Sequence, residues 1–413
     1  MSLSTINERA QDAHQFDSLL PLYIVIFFGF VGYSLMITVF TPMFLRSDSA
    51  IVPADATTSY RTIILGIILC LYPAGQFIGS PVLGALSDRY GRRPVLLISL
   101  TVTTICYAVI AASLQALSLA MLSISLFVAG LSEANIVTAQ SAIADVVPAE
   151  DRTRFFGYIY MCVSLAYIVG PLAGGKLADS SVVSWFSYAT PFWVVFGLLV
   201  LTTLVTLVKF RETNPPAKRR QISYFEAFTN LLGVFTDRRI RILYLINFLL
   251  YLAIYGFFRC YPMYLVDQFH IGVSRESEFI AWVGVPIVLA NLWVTGYLSK
   301  RFTIRSLTFW SAVLTGVFMI LVVIPSTQHA LWVTLFLPAL ALAICLPSCA
   351  TMLSTAVSEA DQGRVMGNNQ ALQVGAESLS GLVGGMLAAI MVKLSLIVLG
   401  VVAILGAGVL FLI

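Results

Sequence analysis

The feature that most constrains this chain is the spacing of its charges. Apolar stretches of about 20 residues, each long enough to cross roughly 30 Å of hydrocarbon as a helix, recur between short charged or turn-forming clusters. Dividing the 413 residues at those clusters predicts twelve membrane-spanning helices. Six run near 20–45, 61–84, 95–113, 118–145, 156–177 and 188–208; six more follow near 241–266, 277–298, 306–325, 330–356, 365–390 and 394–413. With 11% charged residues and a mean hydropathy of +0.92, the chain has lipid as its solvent.

Lys and Arg orient the spans, because cytoplasmic loops are enriched in them. With the amino terminus placed inside, 18 of the 24 basic residues fall on the cytoplasmic side, and both termini are expected there. The net charge of +4 then reflects membrane topology rather than a nucleic-acid surface; nucleic acid is not an expected partner. The first 20 residues carry Glu8, Asp12 and Asp17 ahead of a full-length span, so the first helix reads as a retained anchor. The six cysteines all lie in apolar spans without zinc-ligand spacing and read as small core residues, so no metal, cofactor or disulfide is expected. No enzyme is expected either, since no nucleophile and base pair stands in or beside the spans.

The longest interior hydrophilic stretch, about 209–240, divides the chain into halves at 1–208 and 241–413. The halves repeat. Gly84-Ala85-Leu86-Ser87-Asp88-Arg89-Tyr90 returns as Gly296-Tyr297-Leu298-Ser299-Lys300-Arg301-Phe302, with Arg93 matched by Arg305 at the same offset of 212. At an offset of 210, Asp151, Arg154 and Gly157 match Asp361, Arg364 and Gly367, and Gly174-Gly175 matches Gly384-Gly385. Parallel six-helix repeats are a transporter architecture with the solute site between halves near mid-membrane.

The run from Gly84 to Tyr90, continued by Gly91-Arg92-Arg93-Pro94, resembles the signature loop of the major facilitator superfamily between its second and third helices. Gly91 and Pro94 suit a turn followed by a helix start, and the arginines offer fixed donors to carboxylates. The resemblance implies that Asp88 helps lock the cytoplasmic side between the halves, with the amino end of helix eleven near Gly367 as its expected partner. Asp145 is a candidate partner for one of the arginines. A pure topology signal is the plainer reading of the same loop.

In helix five, Ala166-Tyr167-Ile168-Val169-Gly170-Pro171-Leu172-Ala173-Gly174-Gly175 is similar to the family's antiporter motif, with Ala166 at its first glycine. Small residues allow close helix contact and Pro171 frees a carbonyl, giving a bend that could rock; ordinary packing explains the pattern equally. Together the two motifs resemble the drug:proton antiporter group, which includes tetracycline and multidrug exporters. One position departs from it: the arginine usual four residues before a helix-four glycine is here Leu126, before Gly130.

An ionisable side chain at mid-bilayer costs about 2.5 to 3.5 kcal/mol on the insertion scale, so each should face the interior with a partner or a task. Glu133, Arg259 and Glu377 are such residues. Asn247, Tyr251, Tyr255 and Arg259 recur every four residues on one face; Gln370, Gln373 and Glu377 do likewise, and Glu133 and Gln140 share a face of helix four. These stripes read as the lining of a central cavity. Glu133 and Glu377 are candidate carriers of a coupled proton, since desolvation favours a neutral carboxyl. Arg259 suits an anionic solute, a static Arg259–Glu377 salt bridge being the alternative. Tyr33, Tyr72, Gln76 and Asn291 are further candidates for the cavity, and Trp185, Trp193 and Trp332 for the interfacial belt.

The sequence thus predicts an all-α integral membrane protein of two pseudo-symmetric six-helix halves, acting as a monomeric, proton-coupled, alternating-access exporter of a small solute. The gating set is Gly84, Asp88, Arg89, Gly91, Arg92, Arg93, Asp145, Gly170 and Pro171. An organic-anion or siderophore-type transporter and a transport-dead sensor are the alternatives. Short outer loops without an Asn-X-Ser/Thr site fit a bacterial inner membrane.

Overall fold

The computed structural model describes residues 3–46, 51–53, 55–133, 135–147, 152–214, 238–357 and 359–412, with the backbone alone for 3–18, 135–136, 152–154, 156, 238–239, 359–364 and 412. Every predicted span is a helix: α1 Leu3–Leu45, α2 Thr58–Tyr90, α3 Arg92–Gln115, α4 Leu119–Val146, α5 Arg152–Leu177, α6 Thr190–Lys209, α7 Arg238–Phe269, α8 Val273–Ser299, α9 Ile304–Leu321, α10 Gln328–Ser354, α11 Glu359–Ile390 and α12 Val392–Gly408. Eleven are long and apolar enough to cross a membrane. The exception, α11, is 32 residues long and rich in polar side chains, and its chief neighbours are α2 and α7.

Several boundaries differ from expectation. The first helix begins at Leu3 rather than near 20, over a stretch too charged to belong to a membrane span. Helix α4 is interrupted after Ser132, where Glu133 leaves helical geometry (φ −95°, ψ 68°). Helix α8 begins at Val273 rather than 277 and contains a π-turn at Ala290–Val294. Helix α9 stops at Leu321, and α12 passes into a 3-10 turn at Val409–Leu412. Most of the expected linker, 215–237, lies outside the described residues.

Both termini and the α2–α3 and α8–α9 connections lie at one end of the bundle, here the near end; the α1–α2 and α7–α8 connections lie at the far end. Contacts repeat across the two sets of six helices: α1 packs on α5 as α7 packs on α11, α2 on α4 as α8 on α10, and α3 on α6 as α9 on α12. The repetition reaches single hydrogen bonds. Tyr23 Oη donates to the Phe155 carbonyl (3.3 Å), and Tyr244 Oη donates to the Val365 carbonyl (3.1 Å), linking equivalent helices in each set. Likewise Arg93 donates to Leu207 O (2.7 Å) and Arg305 to Leu410 O (2.8 Å).

The two sets meet along α2/α11, α5/α8 and α1/α7. Glycine makes the first seam possible. A Cβ on Gly66 would lie 2.6 Å from Gly381 O and 2.9 Å from Gly385 Cα, so the two backbones touch where side chains would hold them apart. Ser59 Oγ also donates to Ala389 O (2.6 Å). Along α5/α8, Gly175 abuts Ser277 and Val273 O, and Lys176 pairs with Glu278 (2.7 Å). All these contacts belong to the far end. There, too, buried Arg61 donates to the carbonyls of Phe44, Arg46, Pro53 and Ala56, tying down the α1–α2 connection. Large apolar side chains such as Ile124, Leu201, Trp293 and Ile390 face outward, as lipid requires and water would penalise.

Candidate functional site

Helices α7 and α11 run parallel, and the two polar stripes read from the sequence face each other in register. Asn369 Nδ2 donates to Tyr251 Oη (2.9 Å), Gln373 Nε2 to Tyr255 Oη (2.5 Å), and Arg259 pairs with Glu377 (3.7 Å). Each pair is separated by 118 residues in sequence, so one four-residue step on either helix reaches the next rung. Asn247 Nδ2 donates to Asn369 Oδ1 (2.8 Å) at the near-end limit of this ladder. Gln370 is exposed and takes no rung; its neighbour Asn369 occupies that place.

Arg259 is 2% exposed and spreads over three acceptors: Tyr33 Oη (3.0 Å), Glu377 O (3.3 Å) and, weakly, Ser380 Oγ (3.5 Å). Tyr33, on α1 of the opposite set, donates in turn to Glu377 Oε1. One hydroxyl from the first half therefore joins both charges of the second. Tyr72 stacks on Tyr33 (5.0 Å between centroids), and Tyr167 and Phe30 meet it edge-on. Among the described residues, two buried groups here have no hydrogen-bond partner, Arg259 Nε and Tyr72 Oη.

Glu133 is not part of this cluster. It sits at the interruption of α4, 5% exposed, and among the described residues it makes neither a side-chain hydrogen bond nor an ion pair. Gln140 is half-buried farther along α4, Gln76 is half-buried on α2, and Asn291 is exposed within the π-turn of α8. Leu126 is fully buried among apolar neighbours. The contact that carries α4 against α2 is again glycine: a Cβ on Gly75 would meet Leu131 N at 2.7 Å, and one on Gly130 would collide with Tyr72 O.

At the near end the signature loop forms one network. Gly91 takes φ 106°, a conformation that favours glycine, and turns the chain from α2 into α3. Arg92 pairs with Asp88 (2.5 Å) and Asp145 (3.1 Å) and donates to Ser87 Oγ (2.7 Å). Glu212, which sequence reasoning missed, accepts from the backbone amides of Arg92 (2.8 Å) and Arg93 (3.2 Å), closing the amino end of α3 with a carboxylate. Arg89 stacks on Tyr90, and Gly84 lies near Val137. Asp88 thus pairs inside its own half, and a Cβ at Gly367 would find empty space. In helix five, Gly170 packs on Ser34 and Val31 of α1, with Ser34 Oγ donating to Ala166 O (2.9 Å), while Pro171 lies in the same unbroken helix.

Two further residues stand apart from their sequence reading. Trp332 packs against Phe279 and Trp282 and accepts the indole N–H of Trp282 at its carbonyl (2.9 Å), whereas Trp185 and Trp193 are exposed. Glu276, placed in a loop by the sequence, lies in α8 with no exposed surface.

Comparison with known proteins agrees with this architecture. The tetracycline resistance protein, class C, of Escherichia coli is 30% identical over 343 residues, 83% of this chain and 82% of that protein. The quinolone resistance protein NorA of Staphylococcus aureus (strain MSSA476) is 23% identical over 303 residues, covering 73% and 72%. Among solved structures, a bacterial homolog of the human lysosomal transporter Spinster, inward-facing and occupied, superposes with a TM-score of 0.75 at 16% identity over 95% of both chains. The profile of the Major Facilitator Superfamily matches residues 22–301 and 243–413. Twelve helices in two repeating sets, a polar centre between them and these matches make the chain a member of the Major Facilitator Superfamily, a secondary active transporter.

Proposed function

We propose that this transporter exports a small organic solute in exchange for protons, and that Tyr33, Arg259 and Glu377 form its coupling centre. The observation that carries the reading is the Tyr33 hydroxyl, bonded to both charges of the opposite half. An ionised Glu377 accepts from Tyr33 and faces Arg259; protonation would remove the negative charge that holds all three, loosening the tie between halves. A solute bearing an acceptor could then engage the free Nε–H of Arg259. The rungs at Tyr255, Gln373, Tyr251, Asn369 and Asn247 line the way from this centre toward the near end, and Glu133 is a second acid available to carry a proton.

The excess of basic residues at the near end supports placing that end, with both termini, in the cytoplasm of a bacterial inner membrane. The described state is then closed outside. The halves divide at 1–208 and 241–413 around the 209–240 linker, and the working unit is the monomer. Similarity to resistance proteins for tetracycline and quinolone supports export and a drug-like solute.

Proteoliposomes holding a pH-sensitive dye test this directly, with tetracyclines, quinolones and organic anions added under an imposed proton gradient. The expected result is solute-dependent proton flux, reduced at least tenfold by Arg259→Ala and by Glu377→Gln. Solute flux indifferent to the proton gradient and to both substitutions would overturn the reading.

A further inference from the structure

Two glutamates on the first turns of α8 stand two residues apart in opposite surroundings. Glu278 reaches solvent and is satisfied by Lys176 Nζ of α5 at 2.7 Å, with Arg275 at 4.0 Å. Glu276 has no exposed surface, and among the described residues neither of its carboxyl oxygens meets a hydrogen-bond partner. The next residue, Ser277, is pressed onto Gly175 so closely that no Cβ could stand there. Glu276 is therefore fixed beside the α5/α8 seam, one of the contacts that close the far end, between the Val273 and Ser277 positions that touch Gly175.

Among the described residues no cation is placed to neutralise it. Helix α5 brings Lys176, which is engaged by Glu278. Helix α1 has no charged residue between Tyr33 and Arg46, and α10 brings only His329, at its first turn. Helix α7 brings Tyr261, Tyr264 and Asp267, followed by His270; the Tyr261 hydroxyl has no partner, and Tyr264 donates to Val323 O (3.4 Å). On α8 itself, Arg275 is half-exposed and turned to Glu278. An ionised carboxylate sealed in such a place would be an uncompensated buried charge, which a structure avoids by holding the group neutral or by wetting it.

We propose that Glu276 is a proton-binding site of the far gate, taking one proton from the outer solution as the α5/α8 seam closes and returning it when the seam opens. The step balances as one solvent proton added to a carboxylate oxygen, giving a carboxylic acid. It rests on the reading of the far end as the outer face of an alternating-access transporter, and it deepens that reading, since a proton arriving from outside would drive the return to the state described here.

The test follows the seam without solute. Spin labels at Val182 and Gln268, both exposed near far-end connections, report the distance across the gate in cysteine-free protein in nanodiscs between pH 5 and 9. The wild type should shift from short to long distances as pH rises, the closed-to-open ratio changing up to about tenfold per pH unit for one linked proton. Glu276→Gln should hold the short distance throughout, and Glu276→Asp should restore the response. A pH profile unchanged in Glu276→Gln, or absent from the wild type, would overturn the proposal. Solute-driven proton flux in liposomes is read separately: flux with an unchanged gate profile removes Glu276 alone, and a Glu276-dependent gate without flux removes the proton-coupled reading alone.

Discussion

The two ends of the bundle are held in different ways. At the far end the halves meet through shape: Gly66 against Gly381 and Gly385, Gly175 against Ser277, with one exposed ion pair at the rim. At the near end the charges of the signature loop pair inside the first half, and Gly367 faces open space. A seam made of close backbone contact is all or nothing, because dispersion falls off within an ångström of separation. A seam made of charges acts over longer distances and responds to water. The far end therefore has the character of a latch that either fits or does not, whereas the signature-loop charges at the near end are satisfied within the first half and leave the second half unbound by them.

Three substitutions can break or sharpen that contrast. Gly66→Leu should have the largest effect, since its Cβ would collide with Gly381 O; overpacking of about 2 to 3 kcal/mol against the closed far end shifts the gate on the order of 30- to 150-fold toward open. Spin-label distances across the far end would show it. Arg92→Gln should cost about 1 to 2 kcal/mol of stability by leaving Asp88 and Asp145 without their shared cation, read as a lower unfolding midpoint with far-end distances unchanged. A far-end shift as large as that of Gly66→Leu would erase the distinction between the ends. Lys176→Ala should cost less than about 1 kcal/mol, because its pair is exposed, and transport should stay within a few-fold of the wild type.

Much of this was legible in the sequence, for reasons specific to particular residues. The twelve spans follow from the length of hydrocarbon to be crossed, and the Arg259 and Glu377 stripes follow from helical periodicity, which a parallel pair of helices preserves as matching rungs. Asp145 as a partner for one of the loop's arginines follows from the signature loop; that the arginine is Arg92 comes from the structure. Other features had no local signal. The interruption at Glu133 occurs in Leu131-Ser132-Glu133, without proline or glycine. Glu212 reaches α3 across 120 residues, a distance no pattern reports. Glu276 was missed because it stands one residue ahead of the span expected near 277–298, whereas helix α8 begins at Val273 and buries it. Asn369 replaced Gln370 on the ladder because, with 3.6 residues per turn, steps of three and of four from Gln373 both return near the same face, and the parallel partner α7 selects the step of four.

The matching tyrosine bonds, Tyr23 to Phe155 and Tyr244 to Val365, set a correspondence of 221 residues between α1 and α7 and of 210 between α5 and α11. Under it, Arg259 corresponds to Thr38 and Glu377 to Tyr167. One wall of the central space therefore carries the formal charges and the other carries Tyr33, Tyr72, Tyr167 and Phe30. On the proposed reading, an entering molecule would meet that difference as a lateral electric field and be aligned as well as held: its electron-rich end would turn toward Arg259 on α7, away from the Glu377 carboxylate on α11, and its flat or greasy end would lie against the tyrosines. Solutes with both ends should be oriented before either gate moves.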